Sequence, residues 1–390
     1  MSDEHPLTDT CPLIETAQEL TAFCEKIADA EYIAIDTEFV RDKTYFSKLC
    51  LIQIASPSDI ACIDPLVVQD LSALKSLFAN SAQTKIFHAA RQDLEILYSD
   101  LGLMPAPMFD TQIAATLLGL GEQIGYGNLV KHYLDINLAK QHARTDWEQR
   151  PLSAEQLDYA ANDVRYLIQM YPLVLRDLQQ YGRESWLEND FSQLLDPGLY
   201  QVNNDQLWQK VSGNQKLRRK QLAVLQQLCI WREEIAIKKN KPRKWILSDN
   251  IALSIAMSMP SSKPKVANIR GINKATVDKD ADAIINCVNT ALATPEEQWP
   301  TPHKKCKLDK NQEATVDALL AISKLKANEH SISVGAIVNR NELEKLLLDE
   351  SDLAILTGWR FNLVGETLVD FLKNNLNLSY ADNKLELIKK

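Results

Sequence analysis

Two hydrophobic periods divide this chain. Over the first hundred residues apolar side chains come in short, strand-length runs, whereas beyond residue 200 they recur at every third or fourth position. Tyr32-Ile33-Ala34-Ile35 is an apolar, strand-forming run that leads straight into Asp36-Thr37-Glu38-Phe39. Residues 49–55 and 60–63 read as two further strands across the turn Ser56-Pro57-Ser58-Asp59, so three strands with short connections predict an antiparallel meander. Helical spacing over 71–78, a fourth strand at 85–88 and a helix over 89–98 follow, and the expectation is a mixed sheet flanked by helices. Residues 119–127 are punctuated by glycine and read as a loop. Ser153-Ala154-Glu155-Gln156 has the form of a capping box, so a helix begins there, with Leu157, Val164, Leu167 and Ile168 on its apolar side.

Past a linker over 195–204, the residues Leu207, Trp208, Val211, Leu217, Leu222, Leu225, Leu228, Trp231 and Ile235 sit at helical spacing and predict a small all-α domain. Trp208 and Trp231 fall on its core side. A proline-bearing connection over 294–302 precedes a second helical unit over 315–374, and Lys389-Lys390 reads as a frayed tail. A chain of 390 residues is too long for one ordinary core, which agrees with two or three domains.

Charge sharpens that division. The net charge is −9, but residues 1–200 hold 14 basic against 30 acidic side chains, 201–295 hold 16 against 7, and 296–390 hold 13 against 15. The middle segment is a basic island suited to a polyanion, and the acidic front suits metal binding. A solvated basic face would look the same. The acidic, polar start from Met1 to Pro6 does not read as a secretory signal, and no stretch approaches a membrane span. Seven scattered cysteines, Cys11, Cys24, Cys50, Cys62, Cys229, Cys287 and Cys306, read as reduced thiols of a cytoplasmic protein.

Asp36 and Glu38 stand at i and i+2 of a strand and therefore share a face. Two adjacent carboxylates repel and are driven toward their neutral forms unless a cation lies between them, which makes a hard divalent metal the first hypothesis. An isolated pair of this kind is also what a solvent-facing strand end looks like. Asp93 lies just beyond a strand end, where sites of α/β proteins gather. Tyr159 and Asp163, four apart on the capped helix, project together. His88 reads either as a packed strand-end histidine or as a substrate contact. The polar, basic stretch 140–147 around Trp147 reads either as a substrate loop or as an ordinary surface loop.

Ile35-Asp36-Thr37-Glu38-Phe39, His88-Ala89-Ala90-Arg91-Gln92-Asp93-Leu94 and Tyr159-Ala160-Ala161-Asn162-Asp163-Val164 together resemble, in order and context, the three motifs of the DEDDy 3′–5′ exonucleases. With Phe39-Val40-Arg41, Tyr45, Leu49, Gln53, Asp146-Trp147 and Arg150-Pro151-Leu152, the chain is similar to the ribonuclease D family over most of 12–185. The resemblance implies an α/β ribonuclease H-like exonuclease domain over 1–200, and hydrolysis that releases nucleoside 5′-monophosphates from single-stranded RNA 3′ ends, tRNA precursors above all. It also implies two divalent ions, Mg²⁺ or Mn²⁺, with Asp36 bridging both, Glu38 and Asp163 completing one and Asp93 serving the other. Tyr159, whose unperturbed pKa lies near 10, is then an orienter of the attacking water, not a strong base.

Arg41 and Tyr45 are expected to meet phosphates or stack on the terminal base. Gln53 is either a buried hydrogen-bonding residue or a contact to the terminal sugar. Residues 204–290 resemble an HRDC domain, on Trp231-Arg232-Glu233, Asn240-Lys241-Pro242 and Ile269-Arg270-Gly271-Ile272, and 305–378 a diverged second copy. The first implies an auxiliary nucleic-acid-binding role, whereas the near-neutral charge of the second argues for packing or geometry over direct RNA holding; no obligate protein partner and no membrane are indicated. A DNA-directed exonuclease, a non-catalytic nucleic-acid scaffold, or a helical half that binds proteins are the alternatives.

Overall fold

In the computed structural model, which describes residues 11–138, 145–301 and 308–390, the chain forms two compact units. Of the described residues, one comprises 11–39, 49–138, 145–199 and 308–390, and the other 40–48 and 200–301.

The first unit is built on six strands, β1 (Leu13–Ile14), β2 (Tyr32–Val40), β3 (Lys48–Ala55), β4 (Ile60–Ile63), β5 (Thr84–Phe87) and β6 (Met108–Asp110), in the order β1-β4-β3-β2-β5-β6. β3 and β4 pair antiparallel, as expected, whereas β1 joins β4, and β5 joins both β2 and β6, in parallel. The strand that carries Asp36 and Glu38 is therefore interior, and its Ile33, Ala34 and Ile35 are fully buried. β1 and β6 were not expected, since two or three residues are too few to display a period.

Around the sheet run α1 (Ala17–Ile27), α2 (Ser72–Phe78), α3 (Arg91–Leu101), α4 (Thr111–Leu117), α5 (Tyr126–Leu134), α6 (Ala154–Gln180) and α7 (Glu188–Leu194). The predicted capping box is present. Ser153 Oγ accepts from Gln156 N at 3.2 Å, the Gln156 side chain returns to Ser153 N at 2.7 Å, and α6 runs for 27 residues.

The helical unit contains α8 (Arg219–Lys239), α9 (Arg243–Ile246), α10 (Asp249–Ser258), α11 (Lys263–Ala267) and α12 (Lys274–Ala293). Its core includes Leu207, Trp208, Leu222, Leu225, Leu228, Ile255, Ile284 and Val288, with Trp231 packed against it. Both tryptophans thus lie where the helical period assigned them.

The last segment, α13 (Lys310–Glu329), α14 (Val334–Ile337), α15 (Arg340–Leu347), α16 (Gly358–Arg360) and α17 (Glu366–Leu372), shares a core with the sheet-bearing unit. Trp186 and Trp359 stack with ring centroids 4.6 Å apart, and the Trp359 indole N–H donates to Trp186 O at 3.2 Å. Buried Arg183 donates to Leu117 O at 2.6 Å and also to His330 O, which ties α4 to the end of α13. Gly119, at φ +75°, makes the approach of these elements possible, because a Cβ there would stand 2.6 Å from Ser331 O. Lys389, expected in a frayed tail, instead ends a hairpin of β7 (Leu376–Ala381) and β8 (Lys384–Lys389), with Leu378 opposite Leu387 and both packed on the core.

Candidate functional site

Asp36, Glu38 and Asp163 offer carboxylate oxygens that all lie within 4.8 Å of one another. β2 supplies the first two through its alternation, and α6 supplies the third. Burial, followed by the charges of Asp93, Asp163 and Glu38, pushes the Asp36 carboxyl well above its usual range. Burial, then Asp163 and Asp93, raises Glu38 to about 8. Burial, then Asp93, raises Asp163 to about 7. Carboxylates so placed are costly to ionise together at neutral pH, and a hard divalent cation relieves that cost. The donor set therefore fits such an ion.

Asp93 stands outside that set of three. Its carboxylate accepts a hydrogen bond from Thr37 Oγ1 at 2.5 Å, and burial raises it to about 7 against the downward pull of that bond. Two residues not singled out in the sequence position it. Thr37 grips the carboxylate, while Asp110 accepts from Ala89 N at 3.1 Å and Ala90 N at 2.8 Å, fixing the turn that leads into α3. The same Asp110 carboxylate caps α4 through Gln112 N and Ile113 N, and an aspartate ahead of a helical run is the signal that marks it.

The Tyr159 ring lies 6.2 Å from that of buried Trp147. Burial, then the charges of Asp163, Glu38 and Asp36, lifts its phenol to about 12. Tyr159 is thus electrostatically coupled to the acids, and its proton is held firmly at neutral pH. Arg150 anchors the segment before α6, donating Nη2 to Asp64 Oδ1 at 2.9 Å and to Cys50 O at 2.7 Å. Of the stretch 140–147, residues 140–144 lie outside the described residues.

The four expected substrate contacts are placed differently from one another. Arg41 is exposed. His88 has both ring nitrogens engaged, Nδ1 with Thr111 Oγ1 at 2.9 Å and Nε2 with Ile124 O at 3.1 Å, so its polar atoms serve the fold. Gln53 is fully buried within β3, and neither of its amide atoms has a hydrogen-bond partner among the described residues.

Tyr45 is engaged within the helical unit. It is buried, and its hydroxyl donates to Glu233 of α8 while accepting from Arg243 Nη2 at 3.0 Å, with that guanidinium 5.0 Å over the ring. Asn240 Oδ1 accepts from Tyr45 N and Phe46 N at 3.0 and 3.1 Å. The ring thus helps to pack residues 40–48 within the helical unit.

Comparison with known proteins supports the same assignment. The family model described as 3′–5′ exonuclease matches residues 11–179, and the HRDC domain model matches 221–288. A ribonuclease D of Sphingobium indicum is 37% identical over 97% of this chain and 98% of that protein. One of Zymomonas mobilis is 34% identical over 96% and 97%. The crystal structure of Escherichia coli RNase D, described as an exoribonuclease involved in structured RNA processing, superposes with a TM-score of 0.83 at 28% identity, covering 94% of this chain and 99% of that one. An acid-lined sheet end of this kind, an HRDC region later in the sequence and relatives matched over nearly their whole length lead to one conclusion: the chain belongs to the ribonuclease D family, and is a 3′–5′ exoribonuclease with an α/β exonuclease domain followed by a helical HRDC region.

Proposed function

We propose that this exoribonuclease trims the single-stranded 3′ ends of small structured RNAs, tRNA precursors among them, in the cytoplasm, and releases nucleoside 5′-monophosphates. The observation that carries this reading is the convergence of Asp36, Glu38 and Asp163 on one point. With Asp93 they would hold two divalent ions, Mg²⁺ or Mn²⁺, and such a pair supplies Lewis-acid stabilisation of both the attacking and the leaving oxygen of an in-line displacement.

The chain's own contributions follow from its side chains. Thr37 Oγ1 keeps the Asp93 carboxylate turned in one direction. Tyr159, with its phenol raised to about 12, keeps its proton on Oη and acts as a hydrogen-bond donor that orients the attacking water, so it is not the base. Arg41, exposed and three positions after Glu38, is suited to a backbone phosphate of the RNA. In this reading the chain divides into an exonuclease domain over 1–200, an HRDC domain over 204–290 and a diverged HRDC-like domain over 305–378.

The test is a time course on a 5′-labelled single-stranded RNA and its DNA counterpart, with Mg²⁺ or Mn²⁺, alongside EDTA and Asp36→Asn controls. A ladder shortening from the RNA 3′ end and lost in both controls is expected. Shortening of DNA alone would replace RNA as the substrate, and persistence of the ladder in EDTA would exclude the metal.

A further inference from the structure

With Tyr45 turned inward, the helical unit presents a different aromatic. Trp245 of α9 leaves 60% of its surface exposed, an unusual state for a tryptophan. Together with Arg41, Asp42, Thr44, Tyr45, Arg243 and Lys244 it lines a cavity of about 380 Å³. That volume lies in the range of roughly 300–1,000 Å³ common for small-ligand sites.

The backbone that carries the indole is anchored on both sides along the chain. Arg243 is clamped on the Glu233 carboxylate, with Nη2 to Oε1 at 2.6 Å, and Leu247 is buried with its carbonyl taken by Arg232 Nη1 at 3.0 Å. Trp245 N–H itself donates to Pro242 O at 2.9 Å. An aromatic side chain on an anchored backbone has few torsions left to order when a flat partner lands on it.

Charge narrows the partner. Glu233 neutralises Arg243, so the cavity's remaining charged side chains are Arg41 and Lys244 against Asp42, and the run from Lys238 to Lys241 continues the basic surface along the sequence. An exposed indole among cations is what an unpaired base and its two flanking phosphates require. We propose that Trp245 is a stacking platform for an unpaired base of the RNA substrate, with Arg41 and Lys244 receiving the neighbouring phosphates. The proposal rests on the exoribonucleolytic reading given above, and adds to it a contact that lies outside the acidic site.

The experiment measures binding of a fluorescent single-stranded oligoadenylate of about 15 nucleotides. It uses full-length Asp36→Asn protein in EDTA, followed by anisotropy. Adding Trp245→Ala should weaken binding by about 5- to 150-fold, the loss expected of one base stacked on an aromatic ring. Trp245→Phe should stay within about threefold of the parent, and Lys244→Gln should lower the salt slope by about 0.7. Affinity of Trp245→Ala within about twofold of the parent would overturn the platform and leave this face to a protein partner. So would an equal loss in Trp245→Phe, which would indicate packing, or an equal loss toward fully double-stranded RNA. The wild-type ladder on RNA is run in parallel. Its absence would sink the exoribonucleolytic reading, whatever the outcome at Trp245.

Discussion

Removing one acid from the site should make the metal-free protein more stable while abolishing its activity. In the folded chain Asp163 titrates at about 7 instead of its ordinary 3.8, and Asp93 does the same, so the native state holds protons that the unfolded chain has already released. Stability therefore falls as pH rises from about 4 to about 7, and the loss is complete above that window. Between about pH 6 and pH 8 the two groups together remove on the order of 1–3 kcal/mol, and the whole displacement of Asp163 is worth about 4 kcal/mol as an upper limit, because the acids share it. In EDTA, the melting transition of the sheet-bearing unit in the wild-type protein should thus move down between these two pH values. At about pH 8 the Asp163→Asn protein should melt roughly 4–10 °C above wild type, while adding Mg²⁺ should raise wild type alone. Circular dichroism on heating, at both pH values, with and without the metal, is the assay. A wild-type transition that does not move with pH in EDTA, or an Asp163→Asn protein that melts below wild type at about pH 8, refutes the claim that these carboxylates are held against their own repulsion.

Tyr159→Phe should leave measurable RNA shortening and full metal affinity, whereas Asp163→Asn should lose both, and calorimetric titration with Mn²⁺ separates the two. Thr37→Val removes the hydroxyl that grips Asp93, so the Asp93 carboxyl should titrate higher still, and the acid limb of the pH–rate profile should move upward with a fall of about tenfold in kcat. Arg243→Ala leaves buried Glu233 without its guanidinium and should destabilise the helical unit by about 2–3 kcal/mol, less than a wholly buried pair because Arg243 is partly solvated. Denaturant titration reads that loss. Gly119→Ala places a Cβ against Ser331 O in a left-handed backbone, and should cost the sheet-bearing unit more than about 1 kcal/mol in the same measurement.

Local sequence carried the elements that present the acids. The run before Asp36 could only be a buried strand, and the Ser153 capping box announced α6, so the carriers of Asp36, Glu38 and Asp163 were legible before any contact was known. Long-range partners were not. Tyr45 looked like a free aromatic because Glu233 and Arg243, which engage it, lie 188 and 198 positions away. Thr37 and Asp93, 56 apart, are hidden from each other in the same way. The terminal hairpin, by contrast, is a local feature. Leu376, Leu378, Leu385 and Leu387 stand among alternating residues around Asp382-Asn383, both at positive φ, which is the signature of a two-residue hairpin turn.

The shared core of the exonuclease sheet and the last helices has a consequence for how the chain is made. Trp186 leaves the ribosome 173 residues ahead of Trp359, its stacking partner. At roughly 5–20 residues per second, that interval is roughly 9–35 s. Throughout it, the apolar surface later covered by Leu319, Ile322, Leu343 and Leu368 stands open, while the helical unit of residues 200–306 can condense about its own core. The core of the sheet-bearing unit is therefore complete only once α13–α17 have emerged.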